Sequence, residues 1–197
     1  MLYNSTGNNY GINKENRLYL ISHDDSFSGA VSETLISVIN SGIESLNVYD
    51  VSLVGDKKDD DTVFIDSYET HKVDMSDLTK LGKTSTALQA AAIGHFLNEI
   101  LDPSHDFNTA HNASLEIEGL IYGELIGDKT ITKREEISTG NITDKYNDVE
   151  YRYNRSNRFI LKQGITKTNE TIVYMGIPMN GSVYNPNGIL KSVKKIK

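Results

Sequence analysis

The chain has 197 residues, a formal charge of −7 and 38% hydrophobic residues, which is the composition of one globular domain with a sizeable core. It contains no cysteine, so disulfides, zinc ribbons, thiol nucleophiles and iron–sulfur clusters are excluded. Since no apolar run approaches about 18 residues and no apolar leader opens the chain, we expect neither a membrane span nor a signal peptide.

The first half of the chain predicts short strands around one helix. Residues 1–14 are rich in Asn, Gly and Ser and predict an extended or flexible lead-in. Residues 17–23 have the composition of a strand, and the apolar spacing of residues 28–40 fits an amphipathic helix. Two further strands are expected at 46–54 and 62–66, joined by the acidic loop 56–61 as a hairpin, whereas residues 73–81 are ambiguous.

The middle of the chain predicts two helices. Residues 87–101 are strong helix formers, and the helix ends at Asp102-Pro103 because the residue before proline disfavours the helical conformation. A second helix runs from about Asn108 to Ile126 and closes at Gly127. Because the connection between the two helices is short, they are expected to pack antiparallel.

The last third of the chain predicts a strand-rich region. Residues 131–148 are polar and indicate a long loop or a weak hairpin, and short strand-like runs follow over 149–185, separated by turn residues. The whole chain is therefore expected to be one α+β domain, residues 1–197, with a central antiparallel helix pair at 83–127 flanked by short antiparallel strands.

Each helix of the pair carries ionisable residues on the face that its apolar spacing directs toward the core. His95 and Glu99 lie one turn apart on the first helix, and His111 and Glu118 lie two turns apart on the second. A buried carboxylate needs a proton, a partner or a metal. Imidazoles and carboxylates at one seam suit a divalent metal ion. A simple hydrogen bond between His95 and Glu99 is the alternative.

Two segments of the helix pair resemble a known family. Residues 94–99 (GHFLNE) and 118–125 (EGLIYGEL) are similar to the zincin-like peptidase domains at the C-terminal ends of bacterial Rhs and other polymorphic toxins. In those domains a Gly-His-Glu-Leu-x-His helix supplies two histidine ligands and a later helix supplies an acidic ligand. The resemblance covers residues 62–130 best.

The resemblance implies a set of roles for the matching residues and also shows where this chain departs from the family. His95, Glu99 and Glu118 would be the metal ligands, with Glu99 in place of the second histidine, and Zn²⁺ or Mn²⁺ would be the ion. Phe96 occupies the position of the general base and cannot accept a proton, so a peptidase would need another base to activate a metal-bound water. His111, Glu116 and Glu99 are the candidates.

The resemblance further implies a toxin or effector domain with hydrolase activity on protein or peptide substrates. Such a domain would be delivered by a bacterial secretion system and bound by a cognate immunity protein. One alternative is a catalytically inactive binding or carrier module of a secretion system. Another is a metal-free nuclease that uses His95, His105 and His111 directly. The acidic charge and the absence of a basic stripe argue against a nucleic-acid partner.

Overall fold

The computed structural model describes residues 2–15, 17–44, 52–54, 68, 71–83, 85–101, 106–143, 146–155, 157–165, 171–176 and 194–196. These residues form an α+β fold, as the sequence predicts. A closely packed antiparallel helix pair is accompanied by small sheets, and the meander that follows the pair is antiparallel throughout. Among the described helices, none is long and apolar enough to cross a lipid bilayer.

The first residues of the chain form a short helix and a strand, so that the extended form, one of the two predicted for the lead-in, is present at residues 8–12. A one-turn helix α1 (Tyr3–Thr6) ends at Gly7, whose φ of 69° suits glycine, and strand β1 (Asn8–Ile12) follows. β1 pairs antiparallel with β2 (Leu18–His23), and helix α2 (Glu33–Glu44) comes next. Few residues of β1 are apolar, and the strand is formed by its backbone pairing with β2.

A second small sheet precedes the central helices. Strand β3 (Ser52–Val54) pairs in parallel with β4 (Lys72–Asp74), which leads directly into helix α3 (Met75–Gly82). The ambiguous stretch 73–81 is therefore mostly helical. The remainder of the predicted strand at 46–51, the acidic loop 56–61 and the predicted strand at 62–66 lie outside the described residues.

The central helices are α4 (Thr86–Leu101) and α5 (Phe107–Ile126), close to their predicted bounds. The Asp106 carboxylate caps α5 by accepting a hydrogen bond from the Thr109 N–H at 3.2 Å. Gly127, with φ of 74°, ends the helix in the left-handed conformation. Gly94 allows close contact between the helices, since a Cβ there would lie 2.1 Å from Ile121 Cδ1.

The chain after α5 returns along the helix pair before it enters the sheet. The Arg134 N–H donates to the Leu115 carbonyl at 2.9 Å, and a Cβ on Gly119 would lie 2.4 Å from the Lys133 backbone. A five-stranded antiparallel meander then follows, made of β5 (Glu135–Thr143), β6 (Tyr146–Arg152), β7 (Arg158–Ile165), β8 (Thr171–Gly176) and β9 (Lys194–Ile196). The polar stretch 131–148 thus contains a hairpin, one of the two predicted forms.

The core lies between α2, α3 and the helix pair. Its most enclosed side chains are Leu35, Ile39, Leu78 and Ile121, each almost inaccessible to solvent. Apolar burial of this kind is the main stabilising contribution to the fold. Among the described residues, the acidic and basic side chains buried beside this core are His95, Glu99, Glu118 and Arg134.

Candidate metal centre

The helix pair brings two histidines onto one carboxylate. Glu99 Oε1 lies 2.9 Å from His95 Nε2, one turn earlier on α4, and 2.9 Å from His111 Nδ1, on the facing helix α5. The imidazole rings of His95 and His111 meet edge to face, with centroids 5.0 Å apart. The predicted convergence of these residues at the seam is therefore present, with Glu99 at its centre.

The three donor atoms have a spacing that a metal ion can use. One ligand atom each from His95, Glu99 and His111 lies within 4.8 Å of the others. Bonds of about 2.0–2.2 Å in a tetrahedral arrangement place neighbouring donors about 3.3–3.6 Å apart, somewhat more than the 2.9 Å contacts of Glu99 with the two imidazoles. The cluster could therefore hold a divalent ion after a small expansion.

Glu118, the residue predicted as the third ligand, faces the other nitrogen of the His95 ring. Its Oε2 lies 2.9 Å from His95 Nδ1, whereas Glu99 lies against Nε2. The lone pairs of the two ring nitrogens point in divergent directions, so an ion bound to Nε2 would be out of reach of Glu118. The described cluster instead has His111, predicted to assist catalysis, as the third donor.

Glu118 is held in place by three cationic or donor groups. Tyr153 donates a 2.5 Å hydrogen bond to Oε1, and Arg134 Nε and His95 Nδ1 each lie 2.9 Å from Oε2. The two nitrogens approach this oxygen outside hydrogen-bond geometry, so these contacts are electrostatic. Burial alone would raise the pKa of Glu118, but Arg134, His95 and Tyr153 together lower it to about 2.

Arg134 links Glu118 to a second carboxylate, Glu136. Its Nη2 lies 2.9 Å from Glu136 Oε1, and the same oxygen lies 3.8 Å from His111 Nε2. The guanidinium also covers the ring of Tyr151, 3.9 Å from its centroid. His111 is thus flanked by Glu99 at one ring nitrogen and by Glu136 at the other.

Neighbouring carboxylates raise the pKa of both histidines in the metal-free protein. Glu136 and Glu99 raise the pKa of His111 to about 9 against the effect of burial. For His95, burial acts to lower the pKa, but Glu118 and Glu99 outweigh it and the pKa is raised. Each histidine thus lies against two carboxylates, and Arg134 lies between the two that do not touch both rings.

Aromatic rings enclose the cluster on two sides. The Phe107 ring stacks on His111 with centroids 5.2 Å apart, and Phe96 meets His95 edge-on at 5.7 Å. His95 and Glu99 are each 5% exposed at the side chain, whereas His111 is 24% exposed. Solvent therefore reaches the cluster along His111.

Two residues considered for catalysis or nuclease activity are not among these contacts. Glu116 is exposed, and it lies two residues from Glu118 on a helix, where side chains point in nearly opposite directions. His105, one of the histidines in the nuclease alternative, lies outside the described residues.

Three residues of the network, Arg134, Glu136 and Tyr153, were missed by sequence reasoning. They belong to a stretch that the sequence indicates as a polar loop and short strands, in which no spacing relates them to the helix pair. The only signal in the sequence was Arg134 followed by Glu135 and Glu136, which open β5, and such a run is common on exposed strands.

Comparison of the chain with protein-family models, with curated proteins and with solved structures gives no match.

Proposed function

We propose that the chain is a metal-dependent hydrolase domain whose ion is held by His95 Nε2, the Glu99 carboxylate and His111 Nδ1. The observation that carries this proposal is the meeting of these three donors, from two adjoining helices, around one point. Structural zinc sites are closed by four protein ligands, whereas catalytic sites use three and keep one position open. A three-donor cluster that solvent reaches along His111 matches the second type.

The donor set favours zinc over harder ions. Two imidazoles and one carboxylate make up a combination used in catalytic zinc sites. Mn²⁺ is the second choice, since carboxylate and water ligands suit it but two nitrogen donors favour Zn²⁺. Rigid helices hold all three side chains, which limits the reorganisation that binding would need.

A bound ion would act as a Lewis acid and lower the pKa of a water molecule in its open position. The chain's own residues supply the surroundings of that chemistry. Glu99 bridges both histidines, Phe107 shields one face of His111, and the low exposure of His95 and Glu99 restricts the approach of substrate to the His111 side. Exclusion of water from the remaining sides strengthens the electrostatic interactions of the site.

Phe96 favours a second candidate function, a binding module without catalysis. It lies beside His95 at the position where the resembled peptidases carry the general base, and its side chain cannot accept a proton. Since His111 and Glu99 serve as ligands in our proposal and Glu116 is exposed on another face of α5, none of the three predicted bases is free near the cluster. A metal site that only stabilises a binding surface needs no general base.

The resemblance to polymorphic-toxin domains supports the biological setting of the proposal. In that setting the domain is delivered by a bacterial secretion system, acts on protein or peptide substrates, and is neutralised by a cognate immunity protein. The net charge of −7 disfavours a nucleic-acid substrate.

Metal binding by the purified chain tests the ligand assignment. We expect Zn²⁺ to bind with a one-to-one stoichiometry in isothermal titration calorimetry. Glu99→Gln and His111→Asn should weaken binding by more than the roughly 10- to 100-fold that loss of an outer hydrogen-bond partner costs. Wild-type protein that binds neither Zn²⁺ nor Mn²⁺ would refute the proposal.

Two matched control variants are available. Glu135→Gln removes an exposed carboxylate next to Glu136, and His71→Asn removes an imidazole where φ is 51°, a conformation that Asn tolerates. Both controls should bind Zn²⁺ as the wild type does.

Expression in a bacterial host separates the two candidate functions. A hydrolase toxin should inhibit growth, Glu99→Gln should abolish the inhibition, and Glu135→Gln should retain it. A chain that binds Zn²⁺ but neither inhibits growth nor cleaves cellular proteins would favour the binding module.

A further inference from the structure

We infer that Arg134 is a positioning residue for the metal centre, because one buried guanidinium holds the two carboxylates that face the outer ring nitrogens of both ligand histidines. The inference rests on the proposed function and adds to it a residue that is not one of the three donors. It follows from the contacts of Arg134 with Glu118 and with Glu136.

The guanidinium reaches both carboxylates with different nitrogens. Nε lies 2.9 Å from Glu118 Oε2, and Nη2 lies 2.9 Å from Glu136 Oε1. Glu118 Oε2 in turn lies 2.9 Å from His95 Nδ1, and Glu136 Oε1 lies 3.8 Å from His111 Nε2. Each histidine therefore presents one nitrogen to Glu99 and the other to a carboxylate that Arg134 holds.

This arrangement has a consequence for metal binding. A carboxylate close to the outer nitrogen of an imidazole favours a proton on that nitrogen and leaves the lone pair of the other nitrogen for the ion. Here the charge of Glu118, 2.9 Å from Nδ1, would favour the proton of His95 on Nδ1, and that of Glu136, 3.8 Å from Nε2, would favour the proton of His111 on Nε2, in both cases by electrostatic attraction without a hydrogen bond. Both lone pairs would then point toward Glu99, where the proposed ion binds.

Arginine is suited to this role, and lysine is not. The guanidinium is a planar fork whose nitrogens can engage two acceptors in fixed directions, whereas an ammonium is a single point charge. Arg134 is 4% exposed, and the contact of its guanidinium with the Tyr151 ring fixes the plane of the fork. Its backbone N–H donates to the Leu115 carbonyl on α5. The fork is thus fixed relative to the helix that carries His111.

Arg134→Lys tests the inference, because it keeps the positive charge but cannot span both carboxylates. We expect the Kd for Zn²⁺ to rise about 10- to 100-fold, the effect of losing an outer partner of a ligand. Arg155→Lys, at an exposed arginine, is the matched control and should leave the Kd unchanged. Circular dichroism verifies that each variant is folded.

Nitrogen-15 NMR of the histidine side chains shows which ring nitrogen carries the proton. A merely structural role of Arg134 would leave this unchanged. In the zinc-bound wild type, we expect His95 protonated on Nδ1 and His111 on Nε2, and in Arg134→Lys we expect these tautomers to be less uniquely populated. Should Arg134→Lys fail to fold, Glu136→Gln, with Glu135→Gln as its control, tests the His111 half, with an expected several-fold rise in Kd.

The outcomes separate the inference from the proposed function. Wild-type protein without affinity for Zn²⁺ or Mn²⁺ would overturn the proposed function and the inference with it. Wild-type binding together with unchanged Kd and unchanged tautomers in the Arg134 and Glu136 variants would overturn the inference alone and leave the three-donor site in place.

Discussion

At the scale of single residues, the chemistry of the site depends on which ring nitrogen faces which carboxylate. His95 lies between Glu99 and Glu118, and only the Glu99 side is shared with His111. In the proposed metal site, Glu118 is therefore an outer partner of His95, and His111 is the third donor. The difference is a matter of side-chain direction, which sequence spacing does not encode.

Tyr153 is the residue-scale test of the Glu118 environment. Its hydroxyl donates to the buried Glu118 carboxylate at 2.5 Å, so Tyr153→Phe removes one donor from a charged acceptor. We expect the free energy of unfolding to fall by about 1.5–3 kcal/mol, measured by urea denaturation. Tyr122→Phe is the control, because the Tyr122 hydroxyl donates to a neutral amide at 3.2 Å and its loss should cost about 1 kcal/mol. Equal losses in the two variants would contradict the special role of Glu118.

At the scale of elements, the site depends on the close approach of the chain after α5 to that helix. Residues 131–134 lie along α5, and the absence of a side chain at Gly119 makes room for the Lys133 backbone. This contact places Arg134 at the seam, so that a segment far along the chain from α4 completes the environment of His95. A glycine on the helix thus determines the position of an arginine in the network.

Gly119→Ala tests this element-scale dependence. The added Cβ would meet the Lys133 backbone at 2.4 Å, and backbone cannot move aside as a side chain can. We expect a loss of about 1–3 kcal/mol in the free energy of unfolding, despite the higher helix propensity of Ala, together with weaker Zn²⁺ binding as Arg134 is displaced.

Gly94→Ala is the comparison for this variant. Its Cβ would meet Ile121 Cδ1, the end of a flexible side chain, at 2.1 Å. Its stability should fall less than that of Gly119→Ala, and its contacts do not involve the Arg134 segment. If calorimetric titration showed wild-type affinity for Zn²⁺ in both glycine variants, the role of Gly119 in placing Arg134 would be contradicted.

At the scale of the whole molecule, the buried network makes stability depend on pH. The folded pKa of Glu118, about 2, lies below its ordinary value of 4.5, so its contribution is present above 4.5 and is lost as the pH falls toward 2. The folded pKa of His111, about 9, lies above 6.5, so its contribution is present below 6.5 and is lost as the pH rises toward 9. We therefore expect the metal-free protein to be most stable between about pH 4.5 and 6.5 from these two groups.

Bound Zn²⁺ should offset the loss of stability that we expect of the metal-free protein as the pH rises above 6.5. An ion at His111 Nδ1 must displace a proton, so binding strengthens as the pH rises from 6.5 to 9. Zn²⁺ at 100 times its Kd stabilises the fold by about 2.7 kcal/mol. Thermal unfolding followed with and without Zn²⁺ should show a melting-temperature difference that grows across this range. A difference that stays constant with pH would contradict binding through His111.

The local sequence determined the helices and the donor types of the candidate site. Regular apolar spacing, the Pro103 stop and the Gly127 end predict α4 and α5, and the i, i+4 spacing of His95 and Glu99 predicts their contact, because all of these depend on neighbours along one helix. Only the tertiary structure decided that His111 joins Glu99, that Glu118 faces the far nitrogen of His95, and that Arg134 spans two carboxylates. These relations are set by the rotation of one helix against the other and by the path of residues 131–134, which arise from packing between segments distant in sequence.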